Sequence, residues 1–210
     1  MIMARIITAL LTIWLLGTFT QAKEQREVIA SNFKHQAIKI VPLSATKFEV
    51  TNKQGSTRVV DLKGKKFIVV SVREPGSDGK SYAVDEDGTI WWQDVISSGA
   101  AGGHETTSGI FPVIAKRRFH MSATHPSADG VNNMDFEILF THDGQALHLG
   151  HTNMMSHGCI HVGKKDIETM FKWVDLNTKI VVMRGHYAQF LRAELNEFNK
   201  EMKAYDKRHK

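Results

Sequence analysis

The chain has 210 residues, of which 42% are hydrophobic and 23% are charged. This composition is sufficient for one ordinary domain with a hydrophobic core and excludes a disordered polymer. A single cysteine excludes an internal disulfide. The formal charge of +5 suits an anionic polymer, nucleic acid or a membrane surface. No helix-turn-helix, zinc-finger or RNA-binding signature is present, so nucleic acid is not a predicted partner.

Residues 1–22 are predicted to form a signal peptide. Arg5 is the only charge in this segment, an apolar run covers 6–16, and Thr20-Gln21-Ala22 offers small residues at the cleavage positions. The run is shorter than the roughly 20 residues that span a bilayer, although an uncleaved anchor is the alternative. The segment predicts export to the periplasm or cell envelope. A lone cysteine in an exported protein is either an intermolecular partner or a reactive thiol.

Residues 23–64 form a polar lead-in that we expect to pack on the main domain as a small accessory layer. Its alternating segments 47–50 and 57–60 flank a turn and predict a hairpin. From 65 the pattern becomes rich in β-branched residues, which predicts strands. Adjacent Trp91 and Trp92 lie in one predicted strand and are expected to face opposite sides.

The main domain is predicted to cover 65–184, with a C-terminal helix over 185–210. The segment 119–133 is irregular, which is typical of a binding rim. Ile167, Met170, Phe171 and Val174 fall on one helical stripe and predict a helix over 165–175. The predicted strands are 67–72, 81–84, 89–95, 109–115, 136–140, 146–149 and 178–183.

The lone Cys159 lies in the segment Ser156-His157-Gly158-Cys159-Ile160-His161. A thiol attacks as its thiolate, and a neighbouring histidine can lower its pKa and take its proton. Upstream, His148 and His151 are two candidate bases at the end of an apolar strand. The competing interpretation is a small core residue, the commoner fate of a free cysteine, but the surrounding residues are polar and glycine-rich.

This pattern resembles the L,D-transpeptidase catalytic domain, the YkuD family, whose signature is an upstream histidine followed by Ser/Thr-His-Gly-Cys, an aliphatic residue and usually arginine. Here His161 stands in place of that arginine. The segment 96–99 resembles the family's strand-end Val-Ser-x-Gly. Residues 106–111 resemble its Thr-Pro-x-Gly-x-Phe, with Thr107 instead of proline, and 116–122 resembles a basic segment of many members. The resemblance implies a mainly β fold, an antiparallel β-sandwich-like domain with a helix after the cysteine motif and a C-terminal helix.

The resemblance also implies a chemistry. Cys159 would attack a stem tetrapeptide of peptidoglycan, release D-alanine and form a thioacyl-enzyme, without cofactor or metal. His148 would be the general base, with His151 as the alternative, and its second nitrogen would be oriented by a backbone carbonyl near Leu149. The amides of His157, Gly158 and Cys159 are candidate oxyanion donors.

The remaining motif residues are assigned roles from their residue types and positions. Ser156 is interpreted as a turn or hydrogen-bonding residue. His161 and Asn153 are candidate substrate-binding residues, although Asn153 fits a loop-capping role equally well. Arginine holds a carboxylate through two parallel N–H bonds and a permanent charge, which histidine cannot reproduce. We therefore expect this replacement to affect the specificity for the acyl-donor substrate.

The acceptor of the acyl group is left open by the sequence. An amine of a second stem would give a cross-link, water would give L,D-carboxypeptidase action, a free D-amino acid would give exchange, and a wall-anchored lipoprotein would be attached. All four use the same thioacyl intermediate. A carbapenem-type β-lactam is expected to acylate Cys159, because it presents an activated carbonyl to the same thiolate.

Two alternatives come from other classes of protein. His157, Cys159 and His161 alternate, so an extended backbone would put them on one face, where His148 or His151 could complete a zinc site. The spacing matches no common zinc signature. The second alternative is a non-catalytic wall-binding protein, suggested by His161 and Thr107, although such a module has no need of a thiol.

Overall fold

A computed structural model of the protein describes residues 35–73, 78–122 and 132–191. These residues are mainly β, as predicted. The strands are β1 Lys39–Pro42, β2 Lys47–Thr51, β3 Thr57–Asp61, β4 Phe67–Val72, β5 Gly79–Val84, β6 Ile90–Ser97, β7 Gly109–Pro112, β8 Ala115–Arg117, β9 Met121–Ser122, β10 Asn132–Asn133, β11 Glu137–Leu139, β12 Ala146–Leu149, β13 Ile160–Val162 and β14 Lys179–Arg184, and the helix α1 is Lys164–Trp173.

One curled sheet of nine strands forms the body of the domain, in the order β7-β14-β4-β5-β6-β13-β12-β11-β8. Most neighbours are antiparallel, but β4 pairs with β14, and β12 with β13, in parallel. The sheet is therefore mixed, which the sequence did not predict. All six residues of β4 are buried, as expected for a strand that is covered on both faces.

Each face of the sheet packs on its own core. Along β4, Ile68 and Val70 enter the first core, whereas Phe67 and Val69 enter the second. The first core also takes Ile167 and Met170 of α1, whose apolar stripe lies against the sheet as predicted. The helix starts directly after β13, so it fixes the strand that follows the cysteine.

The second core joins the main sheet to the small sheet β1-β2-β3. Phe48 of β2 is fully buried, with its ring 6.0 Å from that of Phe67 and 6.1 Å from that of Tyr187. The strands β2 and β3 pair antiparallel across the turn that the sequence indicated. The residues 36–62 therefore share a hydrophobic core with the rest of the domain.

Trp91 and Trp92 do not face opposite sides of β6, and the prediction for them is wrong. Ala83 pairs with Trp92 but Val84 pairs with Ile90, so Trp91 is an extra residue in a β-bulge. The two rings lie 5.8 Å apart and both are half-buried. A bulge breaks the simple alternation of side chains, which the sequence pattern did not reveal.

Several predicted segments lie outside the described residues, namely the signal segment 1–22, most of the rim 119–133 and the C-terminal helix beyond 191. Residues 188–191 are helical. In the part of the chain that is described, no helix has both the length and the apolar character needed to cross a membrane.

The shared second core predicts that the small sheet is part of the folding unit. Phe48→Ala should lower the free energy of unfolding by roughly 3–5 kcal/mol, because it leaves a cavity between the two sheets. Val59 of β3 is 59% exposed, so Val59→Ala should change this free energy by less than about 0.5 kcal/mol. Urea unfolding followed by circular dichroism measures both, and equal small effects would contradict a shared core.

Candidate active site

The cysteine motif lies at the end of a ten-residue return, 150–159, that connects the parallel strands β12 and β13. Leu147 pairs with Ile160 and His148 with His161. Cys159 immediately precedes β13 and hence falls beside Ala146, whose backbone hydrogen-bonds to its thiol. The parallel register thus brings the thiol next to the strand that carries His148, although eleven residues separate the two in sequence.

His148 is 1% exposed, and its Nδ1 lies 2.8 Å from the carbonyl oxygen of Leu149. A carbonyl oxygen only accepts, so Nδ1 carries the ring proton and Nε2 is left as the acceptor. The Leu149 carbonyl therefore orients the imidazole of His148, as the sequence predicted. Burial, followed by the neighbouring His161, lowers the pKa of His148 to about 4. The imidazole is therefore neutral near pH 7.

Cys159 is partly exposed, and its Sγ lies 3.6 Å from the carbonyl oxygen of Gly144. Burial raises the pKa of the thiol to about 11, against the hydrogen bond from Ala146, and the charges of Glu137 and Asp143 add to the rise. The expectation that a nearby histidine lowers this pKa is wrong, because desolvation dominates. The site holds a neutral thiol and a neutral imidazole rather than a preformed ion pair.

Ser156 holds the motif loop in shape. It is 6% exposed, and its Oγ accepts the Gly158 N–H at 3.0 Å and donates to the Cys159 carbonyl at 2.5 Å. Its backbone pairs with Ser98 and Ala100 at 2.9 Å each. The Gly158 amide, an expected oxyanion donor, is thus bonded to Ser156.

Gly158 has a φ of +118°, a left-handed region in which glycine is favoured. It is also in close contact with the preceding loop. A Cβ on Gly99 would lie 2.8 Å from the Cα of Gly158, and the Thr106 hydroxyl donates to the Gly158 carbonyl at 2.9 Å. Both glycines therefore allow the two loops to meet beside the thiol.

Thr107, the departure from the family's proline, makes a reciprocal contact with Gln145. The Thr107 N–H donates to Gln145 Oε1 at 2.9 Å, and Gln145 Nε2 donates to Thr107 Oγ1 at 3.1 Å. A proline has no N–H to make the first bond. Gln145 also lies against Gly158, since a Cβ there would be 3.3 Å from its Nε2. No sequence pattern pointed to Gln145 as a residue of the site.

His161 is half-buried and contacts both His148 and the return loop. Its ring lies 5.1 Å from that of His148, and its Nδ1 lies 3.0 Å from the carbonyl oxygen of Met154 and 3.2 Å from that of His151. A Cβ on Gly150 would lie 2.6 Å from this ring. His161 thus anchors the return loop, and its expected role in substrate binding stays a prediction.

The other predicted site residues lie farther out. His151 and Asn153 are exposed on the return loop. His157 is also exposed, with its ring 4.5 Å from that of His104, whereas His161 faces His148. The side chains of His157 and His161 thus point to different neighbours. Within 35–73, 78–122 and 132–191, no group of three or more His, Cys, Asp or Glu side chains is placed to hold a metal ion.

A further functional candidate, Glu137, was not predicted as a site residue. It is 1% exposed on β11, and its Oε2 lies 2.5 Å from Arg117 Nη1. The sequence does contain a hint of this role. Glu137 is a charged residue inside the apolar segment 136–140, and a charged residue is rarely buried in such a segment unless it is paired.

The two serines of the loop contact provide a matched test of this geometry. Ser156→Ala should lower the free energy of unfolding by about 1–3 kcal/mol, because it leaves a buried N–H and carbonyl unpaired. Ser98 is fully buried, and its Oγ has no hydrogen-bond partner among the described residues, so Ser98→Ala should cost far less. Thermal unfolding of both variants measures the two losses of stability. Equal losses would show that the Ser156 bonds do not hold the loop.

Comparison with known proteins places these features in a family. The family model of the L,D-transpeptidase catalytic domain, YkuD, matches residues 65–182. Among solved structures, an L,D-transpeptidase from Stackebrandtia nassauensis is 20% identical with a TM-score of 0.46, over 58% of this chain and 56% of that chain. The Enterococcus faecium L,D-transpeptidase C442S mutant is 17% identical with a TM-score of 0.47, over 61% and 56%.

Mycobacterium tuberculosis L,D-transpeptidase 1 is 19% identical with a TM-score of 0.47, over 68% of this chain and 73% of that chain. The matched region thus spans little more than half of the first two structures. The comparison with curated proteins gave no match. The family model covers more than half of the sequence, and the chain therefore belongs to the L,D-transpeptidase catalytic domain family.

Proposed function

We propose that the protein is a cysteine acyltransferase that acts on stem tetrapeptides of peptidoglycan. Cys159 is the nucleophile and His148 the general base and acid. The observation that carries the proposal is the hydrogen bond between His148 Nδ1 and the Leu149 carbonyl, which leaves Nε2 as a proton acceptor on the strand beside the thiol. The amides of His157 and Cys159 are the oxyanion donors that we propose, since the Gly158 amide is bonded to Ser156.

The reaction starts from two neutral groups, which determines its first step. The thiol proton moves to His148 Nε2 as the Cys159 sulfur bonds to the carbonyl carbon of the penultimate residue. The bond from that carbonyl to D-alanine then breaks, and Nε2 returns the proton to the departing amine. An acceptor amine attacks the thioester, loses its proton to Nε2 and regenerates the thiol. One amide is exchanged for another, so no energy source is required.

The assignment of the base favours His148 over His151. His148 is buried, is held by a carbonyl and lies on the strand beside Cys159, whereas the His151 side chain is exposed. A general base needs a fixed ring within reach of the proton. The exported location that residues 1–22 predict is consistent with a substrate in the cell envelope.

The proposal predicts a covalent adduct and its dependence on two residues. On incubation with a disaccharide-tetrapeptide, intact-mass spectrometry should find the protein heavier by the donor minus D-alanine, and Cys159→Ala should show no adduct. His148→Gln should slow D-alanine release by about 10²–10⁴-fold, the usual contribution of general acid–base catalysis. His151→Gln should keep the wild-type rate.

The outcomes separate the alternatives. Release of D-alanine from the donor alone would identify water as an acceptor, and release only with added amine would identify transpeptidation. A Cys159→Ala variant that binds the wall as the wild type does, where neither protein releases D-alanine, would contradict the proposal and favour a wall-binding module. Prolonged exposure to a carbapenem without a mass change would argue against Cys159 as an accessible nucleophile.

A further inference from the structure

A row of polar side chains crosses the sheet beside the thiol. Arg117 of β8 pairs with Glu137 of β11, and the register of β11 with β12 places Glu137 opposite His148. His148 in turn pairs with His161 of β13. Directly opposed residues of neighbouring strands point to the same face. The carboxylate of Glu137 therefore lies on the same face as the proposed base, one strand away.

Glu137 is a buried and paired carboxylate rather than an exposed surface charge. It is 1% exposed, with Arg117 Nη1 2.5 Å from its Oε2 and His120 Nδ1 3.0 Å from its Oε1. A buried carboxylate has a large desolvation cost unless it is paired. Arg117 provides a permanent opposite charge, and its side chain is 45% exposed, so water screens that charge partly.

The charged and titratable groups around His148 come from several elements. His161 and His120 disfavour its protonated form, whereas the Leu149 carbonyl favours it. Asp135, whose backbone carbonyl accepts the Leu149 N–H, pairs with Arg118 at 3.7 Å. Glu137 lies close enough to the thiol that its charge raises the pKa of Cys159. The strand register places Glu137 opposite the proposed base, one strand away.

We propose that Glu137 is a positioning residue, which stabilises the imidazolium that His148 becomes while it holds the proton of Cys159. This inference rests on the acyl transfer proposed above. The proton leaves the Cys159 sulfur, resides on His148 Nε2 and passes to the departing D-alanine amine, and Glu137 takes no part in this transfer. A positive charge that forms in a buried site is stabilised by a fixed negative charge nearby.

Removing the charge of Glu137 should change two rates in opposite directions. In Glu137→Gln the thiol ionises more easily, so the pH profile of Cys159 alkylation by iodoacetamide should shift to lower pH. Acyl transfer needs the imidazolium, so D-alanine release should fall by about tenfold, the effect of one pKa unit. A merely structural role would not accelerate alkylation while it slows acyl transfer.

The experiment compares wild type, Glu137→Gln and Glu86→Gln, which removes an exposed carboxylate from the turn between β5 and β6. Circular dichroism and thermal unfolding confirm that each variant is folded. Alkylation is followed by intact mass between pH 7 and 11, and D-alanine release is measured with the disaccharide-tetrapeptide. Glu86→Gln should match the wild type in both.

A folded Glu137→Gln with an unchanged rate of D-alanine release, or with both rates reduced together, would overturn the inference. A wild-type protein that releases no D-alanine would refute the proposed function instead. If Glu137→Gln does not fold, Arg117→Gln keeps the carboxylate and removes its outer partner. The alkylation profile should then shift to higher pH, and an unchanged profile would refute an electrostatic role for Glu137.

Discussion

The parallel pairing of β12 with β13 is the constraint on which the site depends. A hairpin would direct the chain straight back from His148, whereas a parallel pair requires a return loop. The ten residues 150–159 make that return and place Cys159 at the entrance to β13, beside Ala146. His161 then pairs with His148 and anchors the loop through the carbonyls of His151 and Met154. Strand register thus places Cys159 directly beside the strand that carries His148, although eleven residues separate the two in sequence.

Burial decides how this pair can work. It moves the pKa of Cys159 upward and that of His148 downward, so each group is neutral near pH 7. A neutral thiol is protected from adventitious oxidation and alkylation, since the thiolate is the reactive form. In the proposed reaction the proton must therefore move from Cys159 to His148 when the substrate arrives, and a positive charge then forms on a buried imidazole. The Leu149 carbonyl and, in our proposal, Glu137 stabilise this positive charge.

Much of this arrangement could be predicted from the sequence, and the limits have physical causes. The apolar periodicity of Ile167 and Met170 predicted α1, and the lone cysteine beside Gly158 predicted the motif. The mixed sheet was missed, because parallel and antiparallel strands have the same local pattern. The Trp91 bulge was missed for the related reason that it depends on the neighbouring strand. The raised pKa of the thiol reflects tertiary burial, which composition around Cys159 does not reveal.

The pKa values imply that Cys159 and His148 are both uncharged before substrate binds. NMR titration of the protein labelled with ¹³C at cysteine Cβ and histidine Cε1, with Cys159→Ala and His148→Gln for assignment, measures both charges. Neither resonance should titrate between pH 6 and 9, the His148 resonance should move near pH 4 and the Cys159 resonance near pH 11. Coupled titration of both resonances near neutral pH, as a thiolate–imidazolium pair would show, would contradict this prediction.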